Sequence, residues 1–126
     1  MAAPNIVSVT TIYGKTAYLT PSDTSANVLL ANSASSGKVL KINQIVAANV
    51  DGTNAVDVSV AVNTAAAGSG TSYPIVSTVA VPADASLIVV DKTTAIYLEE
   101  DKSIVVTSGT ASKIAYTISY EEISAA

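Results

Sequence analysis

Residues 55–63 read AVDVSVAVN, and their alternation decides the fold: Val56, Val58, Val60 and Val62 are separated by Ala55, Asp57, Ser59 and Ala61. Residues 114–121, IAYTISYE, repeat the pattern with Ile and Tyr at every second position. A period of two places one set of side chains on each face of a β-strand. Val, Ile and Thr, which suit a pleated surface, make up 42 of the 126 residues. The chain is therefore expected to be built from strands.

Short apolar runs divided by turn residues continue along the whole chain. Gly14-Lys15 predicts a hairpin, and Asp51-Gly52 predicts a tight turn. Residues Thr64–Thr71, with two glycines, predict one long flexible loop. The strands expected between these breaks are Ile6–Tyr13, Thr16–Thr20, Ala26–Asn32, Lys38–Asn49, Ala55–Asn63, Pro74–Val81, Ser86–Val90, Ala95–Leu98, Ser103–Thr107 and Lys113–Glu121.

The long strand Lys38–Asn49 has an irregular pattern. Its apolar residues share one face, with Gln44 as the exception: Leu40, Ile42, Val46, Ala48 and the following Val50. A polar residue on an otherwise apolar face predicts that the strand bends or changes sheet partway.

About ten short strands at this spacing are typical of an antiparallel β-sandwich of the jelly-roll kind, or of a small barrel. We predict an all-β, jelly-roll-like antiparallel sandwich occupying residues 1–126 as one domain. Residues 1–9 are a candidate N-terminal arm, which would protect a sheet edge by adding a strand to a neighbouring subunit.

The composition argues against several classes of function. The chain has no Cys, His or Arg, which removes disulfides, thiolate ligands and the usual neutral-pH base. Six scattered Lys against ten Asp and Glu leave a net charge of −4, without the cationic footprint that nucleic acids require. No apolar run is long enough for a membrane helix, and the N-terminus does not resemble a secretory signal. We expect no cofactor, no metal centre, no nucleic acid and no membrane partner, and folding in a cytoplasm.

The acidic residues do not suggest a catalytic site. Glu99, Glu100 and Asp101 precede Lys102, and adjacent turn residues predict a solvated hairpin tip rather than two carboxylates facing across a cleft. Asp51 has a sufficient role in its Asp-Gly turn, although a surface calcium site there stays open. A cryptic hydrolase built on Asp and Glu is the remaining enzymatic alternative, and we expect no catalysis.

Low charge combined with high apolar content favours assembly. Charged residues are 13% of the chain and apolar residues 49%, so surface is expected to be hidden against other copies or a larger structure. The alternative is a compact sandwich with a Ser/Thr-rich surface. The candidate interface residues, from the N-terminal segment and the tyrosines, are Ile6, Val7, Tyr13, Tyr18, Tyr73 and Tyr97.

Four stretches occur in an order that resembles a known family. They are KVLKIN (38–43) with ANVDG (48–52), VPADASL (81–87), IYLEEDK (96–102) and YTISYEEI (116–123). Together they resemble small β-sandwich virion proteins of tailed bacteriophages, especially marine cyanophages, over about Lys38–Ser124.

The resemblance implies a non-enzymatic virion protein with no catalytic residues to carry over. The favoured role is a capsid decoration (cement) protein on the capsid exterior, a homotrimer that bridges copies of the major capsid protein. The alternative is a tail, neck or fibre-associated virion protein that contacts a receptor or glycan.

Overall fold

A computed structural model describes residues 5–124, which form nine strands and one short 3₁₀ helix. The strands are β1 Thr11–Leu19, β2 Asn27–Asn32, β3 Lys38–Asn49, β4 Val56–Asn63, β5 Ser72–Val81, β6 Ser86–Val90, β7 Ile96–Leu98, β8 Lys102–Ser108 and β9 Ile114–Ser124. The 3₁₀ helix, Lys92–Thr94, joins β6 to β7. Among these described residues no helix is long and apolar enough to cross a membrane.

The strands form two antiparallel sheets. Sheet I has the order β1-β9-β3-β6, with β7 also paired to β3, and sheet II has the order β2-β8-β4-β5. The strand pairs are nested within one another along the chain: β1 with β9, β2 with β8, β3 with β6 and β7, and β4 with β5. Such nesting is a long two-stranded ribbon rolled into a sandwich, the arrangement of a jelly roll. The predicted all-β sandwich is confirmed.

The core lies between the sheets and consists almost entirely of aliphatic side chains from both. Fully buried Ile42 and Ile118 from sheet I face Val60 and Val106 from sheet II. Tyr116 is also fully buried, and its hydroxyl lies 2.9 Å from Ser108 Oγ and donates to the carbonyl oxygen of Thr107 at 3.2 Å. Burial raises the pKa of Tyr116, so the phenol is neutral in the folded protein.

Three successive strands end in the same way. The last residues of β2, β3 and β4 are Asn32, Asn49 and Asn63, each at most 3% exposed. Each side chain bonds to backbone groups of the turns that it closes. An amide offers both donors and an acceptor, so one buried Asn satisfies several groups that a turn would leave unpaired.

The hairpin predicted at Gly14-Lys15 is wrong, because β1 continues straight through both residues. A Cβ on Gly14 would meet nothing within 4 Å, so this glycine occupies open space on an outer strand rather than a turn. The expected strands Ile6–Tyr13 and Thr16–Thr20 are thus replaced by one strand, which reduces the expected ten strands to nine.

The irregularity expected in β3 is a β-bulge, and the strand stays in one sheet. Its register against β9 shifts between Ile42 and Gln44, and residues beyond the shift exchange faces. Ile45 and Ala47 are therefore in the core, where the sequence had placed Val46 and Ala48.

Candidate interaction surface

The strand register shows which residues share the outer face of sheet I, because residues directly opposite one another on paired strands lie on the same face. One row across the sheet contains Tyr18, Thr117, Val46 and Ile88 from β1, β9, β3 and β6. The alternation along β9 fixes the orientation, since Ile114, Tyr116 and Ile118 point into the core and the residues between them point out. This outer face is hereafter called the sheet I surface.

Two predicted tyrosines lie on the sheet I surface. Tyr18 is 79% exposed at one end of its row. Tyr97 is 49% exposed and belongs to a second row with Lys41, Glu121 and Gly14. Between the two rows, Thr16 and Ser119 have hydroxyl oxygens 3.4 Å apart. The surface therefore combines separated aromatic and aliphatic side chains with small hydroxyl residues and with the opposite charges of Lys41 and Glu121.

The other predicted interface residues lie elsewhere. Ile6 and Val7 are exposed in a turn ahead of β1, closed by a backbone bond from Ser8 to Asn5. Tyr13 is on the opposite side of β1 from Tyr18, and Tyr73 is on β5 of sheet II. The structure does not bring the six residues into one patch. The arm proposed for residues 1–9 lies partly outside the described residues, and its described part, residues 5–9, begins with this turn.

Sequence reasoning missed two exposed apolar residues of this surface. Ile12 is 56% exposed and lies in a row with Ile123 and Val39, and Ile88 is 60% exposed. The sequence gives little indication that Ile12 and Ile88 are exposed, because each lies in an apolar run that also contains buried or half-buried residues. Only the register separates the outward from the inward positions.

Part of the outer face of sheet II, over β2 and β8, is covered by the chain itself. The connection from β4 to β5, residues 64–71, folds back so that a Cβ on Gly68 would lie 3.0 Å from Val28 and 3.3 Å from Val105. Ser103 Oγ donates to the carbonyl oxygen of Ala65 at 2.7 Å, and the Ala66 N–H donates to Asp101 Oδ1 at 3.3 Å. The loop predicted to be flexible is therefore attached to the sheet at both its start and its middle.

A small ionic cluster lies at the end of sheet I where β1, β9 and β3 meet. Glu122 accepts from Lys15 Nζ at 2.9 Å and is 3.0 Å from Lys38 Nζ. The hydrogen bond from Lys15, more than any other contact, lowers the pKa of Glu122, while Glu122 raises the pKa of Lys15. The cluster ties the outer strand to β3 across β9.

A polar hollow of about 410 Å³ opens at the β3 bulge, lined by Asn43, Gln44, Asp91, Lys92 and Ser119. Asp91 caps the 3₁₀ helix, its Oδ1 accepting from the Thr93 N–H at 2.9 Å and from the Thr93 hydroxyl. These bonds lower the pKa of Asp91 and keep it ionised near neutral pH. The hollow thus presents amides, a hydroxyl and one charge of each sign.

The acidic residues considered for chemistry are spread apart in structural roles. Asp51 Oδ1 accepts from the Thr53 and Asn54 N–H groups at 2.8 and 3.1 Å, which shapes its turn and lowers its pKa. Glu99 is exposed as expected, but both carboxylate oxygens of Glu100 are buried without a hydrogen-bond partner among the described residues. No group of three or more Asp or Glu that could hold a metal ion occurs within residues 5–124.

Comparison with known proteins identifies a fold rather than a family. No protein-family model matches the chain, and no curated protein matches it in sequence. A chain of the T13 particle of infectious bursal disease virus is similar in structure, with 5% identity and a TM-score of 0.50 over 93% of this chain and 32% of that one. A protein of the Bacillus endospore appendages, which form disulfide-linked pili, has 16% identity and a TM-score of 0.47, covering 91% and 88%. This chain spans about a third of the viral chain, and at such low identity the likeness shows only that the same fold occurs there.

Proposed function

We propose that this chain is a non-enzymatic structural protein of a bacteriophage virion, and specifically a capsid decoration protein that bridges neighbouring capsid subunits on the exterior of the head. The observation that carries the proposal is the sheet I surface, where Tyr18, Ile88 and Tyr97 stand exposed in rows on either side of the Thr16 and Ser119 hydroxyl groups. The jelly-roll fold supports it, because many viral capsid domains have that fold. The resemblance to tailed-phage virion proteins supports it independently.

The composition of the surface suits a bridging role. Aromatic side chains with a hydroxyl group bury large area while keeping one polar bond, and are enriched at interfaces. The central row of Thr16 and Ser119 can form hydrogen bonds without the desolvation cost of buried charges. Each subunit would thus contact the shell through many modest interactions from one firmly held face.

Self-association as a trimer is part of the same proposal. The free side of β1 is the edge of sheet I, and Thr11–Leu19 contains no Pro and one Lys, which is engaged by Glu122. A nine-residue edge strand with so little protection is suited to pairing with another chain. Residues 1–9 of a neighbouring subunit are the candidate for that added strand, which requires the turn at residues 5–8 to open.

The experiment is to locate the chain on the particle. An antibody raised against the recombinant chain, applied with a gold label to particles purified from its source, is expected to label head surfaces uniformly. Label confined to tails, necks or fibres would replace the decoration role with the tail, neck or fibre role. Particles that lack the chain altogether would overturn both.

Oligomeric state is tested separately by light scattering. A trimer mass is expected at concentrations that saturate binding to the head. A stable monomer at high concentration would overturn the trimer.

A further inference from the structure

Asn43 and Gln44 lie at a gap in the edge of sheet I. On the side of β3 away from β9, β7 pairs with Leu40–Ile42 and β6 pairs with Ile45–Ala48. Between β6 and β7 the chain turns aside as the 3₁₀ helix Lys92–Thr94. Residues 43 and 44 therefore have no strand partner on that side, and the polar hollow opens in the space.

The two amide side chains in this hollow are not used by the fold. The amides of Asn32, Asn49 and Asn63 are all occupied by turn backbone. By contrast, those of Asn43 and Gln44 bond to no residue within 5–124, although both line the hollow. A primary amide carries two donor hydrogens and an acceptor oxygen, so two of them side by side provide an unused array of both kinds.

The charges of the hollow narrow the ligand class. Asp91 and Lys92 contribute one negative and one positive charge, so the lining is neutral overall. A phosphate or sulfate would find one lysine and a repelling carboxylate. The lining side chains expose carbon as well as polar atoms, and a wholly apolar ligand would leave their amide, carboxylate and hydroxyl groups without partners. Amides, a carboxylate and a hydroxyl at one place match a ligand rich in neutral hydroxyl groups.

An aromatic side chain stands beside the hollow. Tyr97 pairs with Lys41, which lies two residues before Asn43 on β3, so Tyr97 and Asn43 are diagonal neighbours on the same face. Diagonal neighbours in a sheet lie within reach of an aromatic side chain. Tyr97 is half exposed, so part of its ring can be covered by the C–H groups of a sugar.

We propose that the hollow binds a neutral carbohydrate, with Asn43, Gln44 and Asp91 bonding to its hydroxyl groups and Tyr97 packing against a sugar ring. The volume of about 410 Å³ lies within the range of small-ligand sites. Tyr97 and Ser119 also belong to the sheet I surface, so a sugar and a capsid would compete for this face. Sugar binding is measured on the free chain, so its test and the gold-labelling experiment fail independently.

The test starts from a printed array that contains neutral hexose oligosaccharides together with sialylated and sulfated glycans. The wild-type chain is expected to bind neutral oligosaccharides, and titration calorimetry with the best of them gives the affinity. The double variant Asn43→Ala with Gln44→Ala is expected to weaken binding at least about tenfold, the effect of losing one or two hydrogen bonds. Tyr97→Ala is expected to weaken it similarly.

Tyr73→Ala is the matched control, because Tyr73 is also an exposed tyrosine but lies on sheet II. It should leave binding unchanged, and circular dichroism should show that all the variants are folded. Three results would each overturn the proposal: binding to no neutral glycan on the array, binding that survives loss of both amides, or equal loss in the Tyr73 variant.

Discussion

Replacing Asn63 tests how much this side chain adds to the contacts that hold the loop over sheet II. Asn63 Oδ1 accepts from the N–H groups of Ala65 and Gly70 at 3.0 and 2.9 Å, and Nδ2 donates to the Gly70 carbonyl oxygen and to Ser72 Oγ at 3.2 and 2.9 Å. At about 1 kcal/mol net per hydrogen bond, the four bonds set an upper limit of about 4 kcal/mol. Water reaches part of the opened loop and replaces some bonds, so we expect Asn63→Ala to lower the free energy of unfolding by about 2–3 kcal/mol.

Urea denaturation measures that loss, and amide hydrogen exchange of residues 64–71 shows where it arises. Exchange in this loop should accelerate strongly while the strands of sheet I keep their protection. Asn63→Asp is expected to cost at least as much: its carboxylate keeps the acceptor for the Ala65 and Gly70 N–H groups, but it places a charged oxygen against the Gly70 carbonyl oxygen at a buried site. Asn27→Ala, at an exposed strand terminus, is the control and should change stability by less than about 0.5 kcal/mol. A stability within that margin for Asn63→Ala, with unchanged loop exchange, would refute the reasoning.

Three further predictions follow from single contacts. Tyr116→Phe leaves the buried Ser108 hydroxyl without its partner and should lower the free energy of unfolding, measured by urea denaturation, by about 1–2 kcal/mol. Tyr120→Phe, on the same strand, is the control and should lower it by under about 0.5 kcal/mol. Equal losses in the two variants would contradict the assigned bond. Gly68→Ala should lower the free energy of unfolding by about 1–2 kcal/mol in urea denaturation, because φ is +78° and a Cβ would press on Val28. Gly14→Ala, where a Cβ enters open space, is the control and should not lower it. The reverse order of the two variants would contradict the placement of the loop. Because contacts with Lys15 and Lys38 lower the pKa of Glu122 in the folded state, the stabilisation by ionised Glu122 is present above the usual glutamate pKa and is lost as the pH falls through the folded-state pKa. Glu122→Gln should therefore be less stable than wild type at pH 7, and the two proteins should become equally stable in acid. A difference in denaturation midpoint that does not change with pH would argue against the ion pairs.

The strands could be predicted from the sequence because alternation survives wherever one face is buried. Lys38–Asn49 and Ser86–Val90 were predicted with the bounds that the structure shows, and other strands differ by a few residues. Gly14 was misread because a glycine beside a lysine is typical of a turn, and nothing local indicates that an outer strand leaves open space there. A glycine beside a polar residue therefore does not by itself distinguish a turn from a strand position whose side chain would face open solvent.

The bulge in β3 was visible only as an anomaly. Gln44 broke an apolar face, which correctly indicated an irregularity, but the single extra residue that moves Ile45 and Ala47 into the core could not be located without the partner strand. The hollow depends on that same residue, and so it could not be predicted. Likewise, the two glycines of Thr64–Thr71 predicted a flexible loop. The residues that hold this loop, Ser103 and Asp101, are distant in sequence, so nothing near the loop indicated that it is held.

The nested pairing also determines how the protein can be re-engineered. Thr11 and Ser124 are direct partners at one end of the same two strands, so the start and finish of the folded ribbon are neighbours. A short linker could join them, and the chain could be reopened at a tight turn such as the one at Gly109, between β8 and β9. Such a circular permutant would keep every ladder intact, and cargo fused at its two new ends would emerge side by side between β8 and β9.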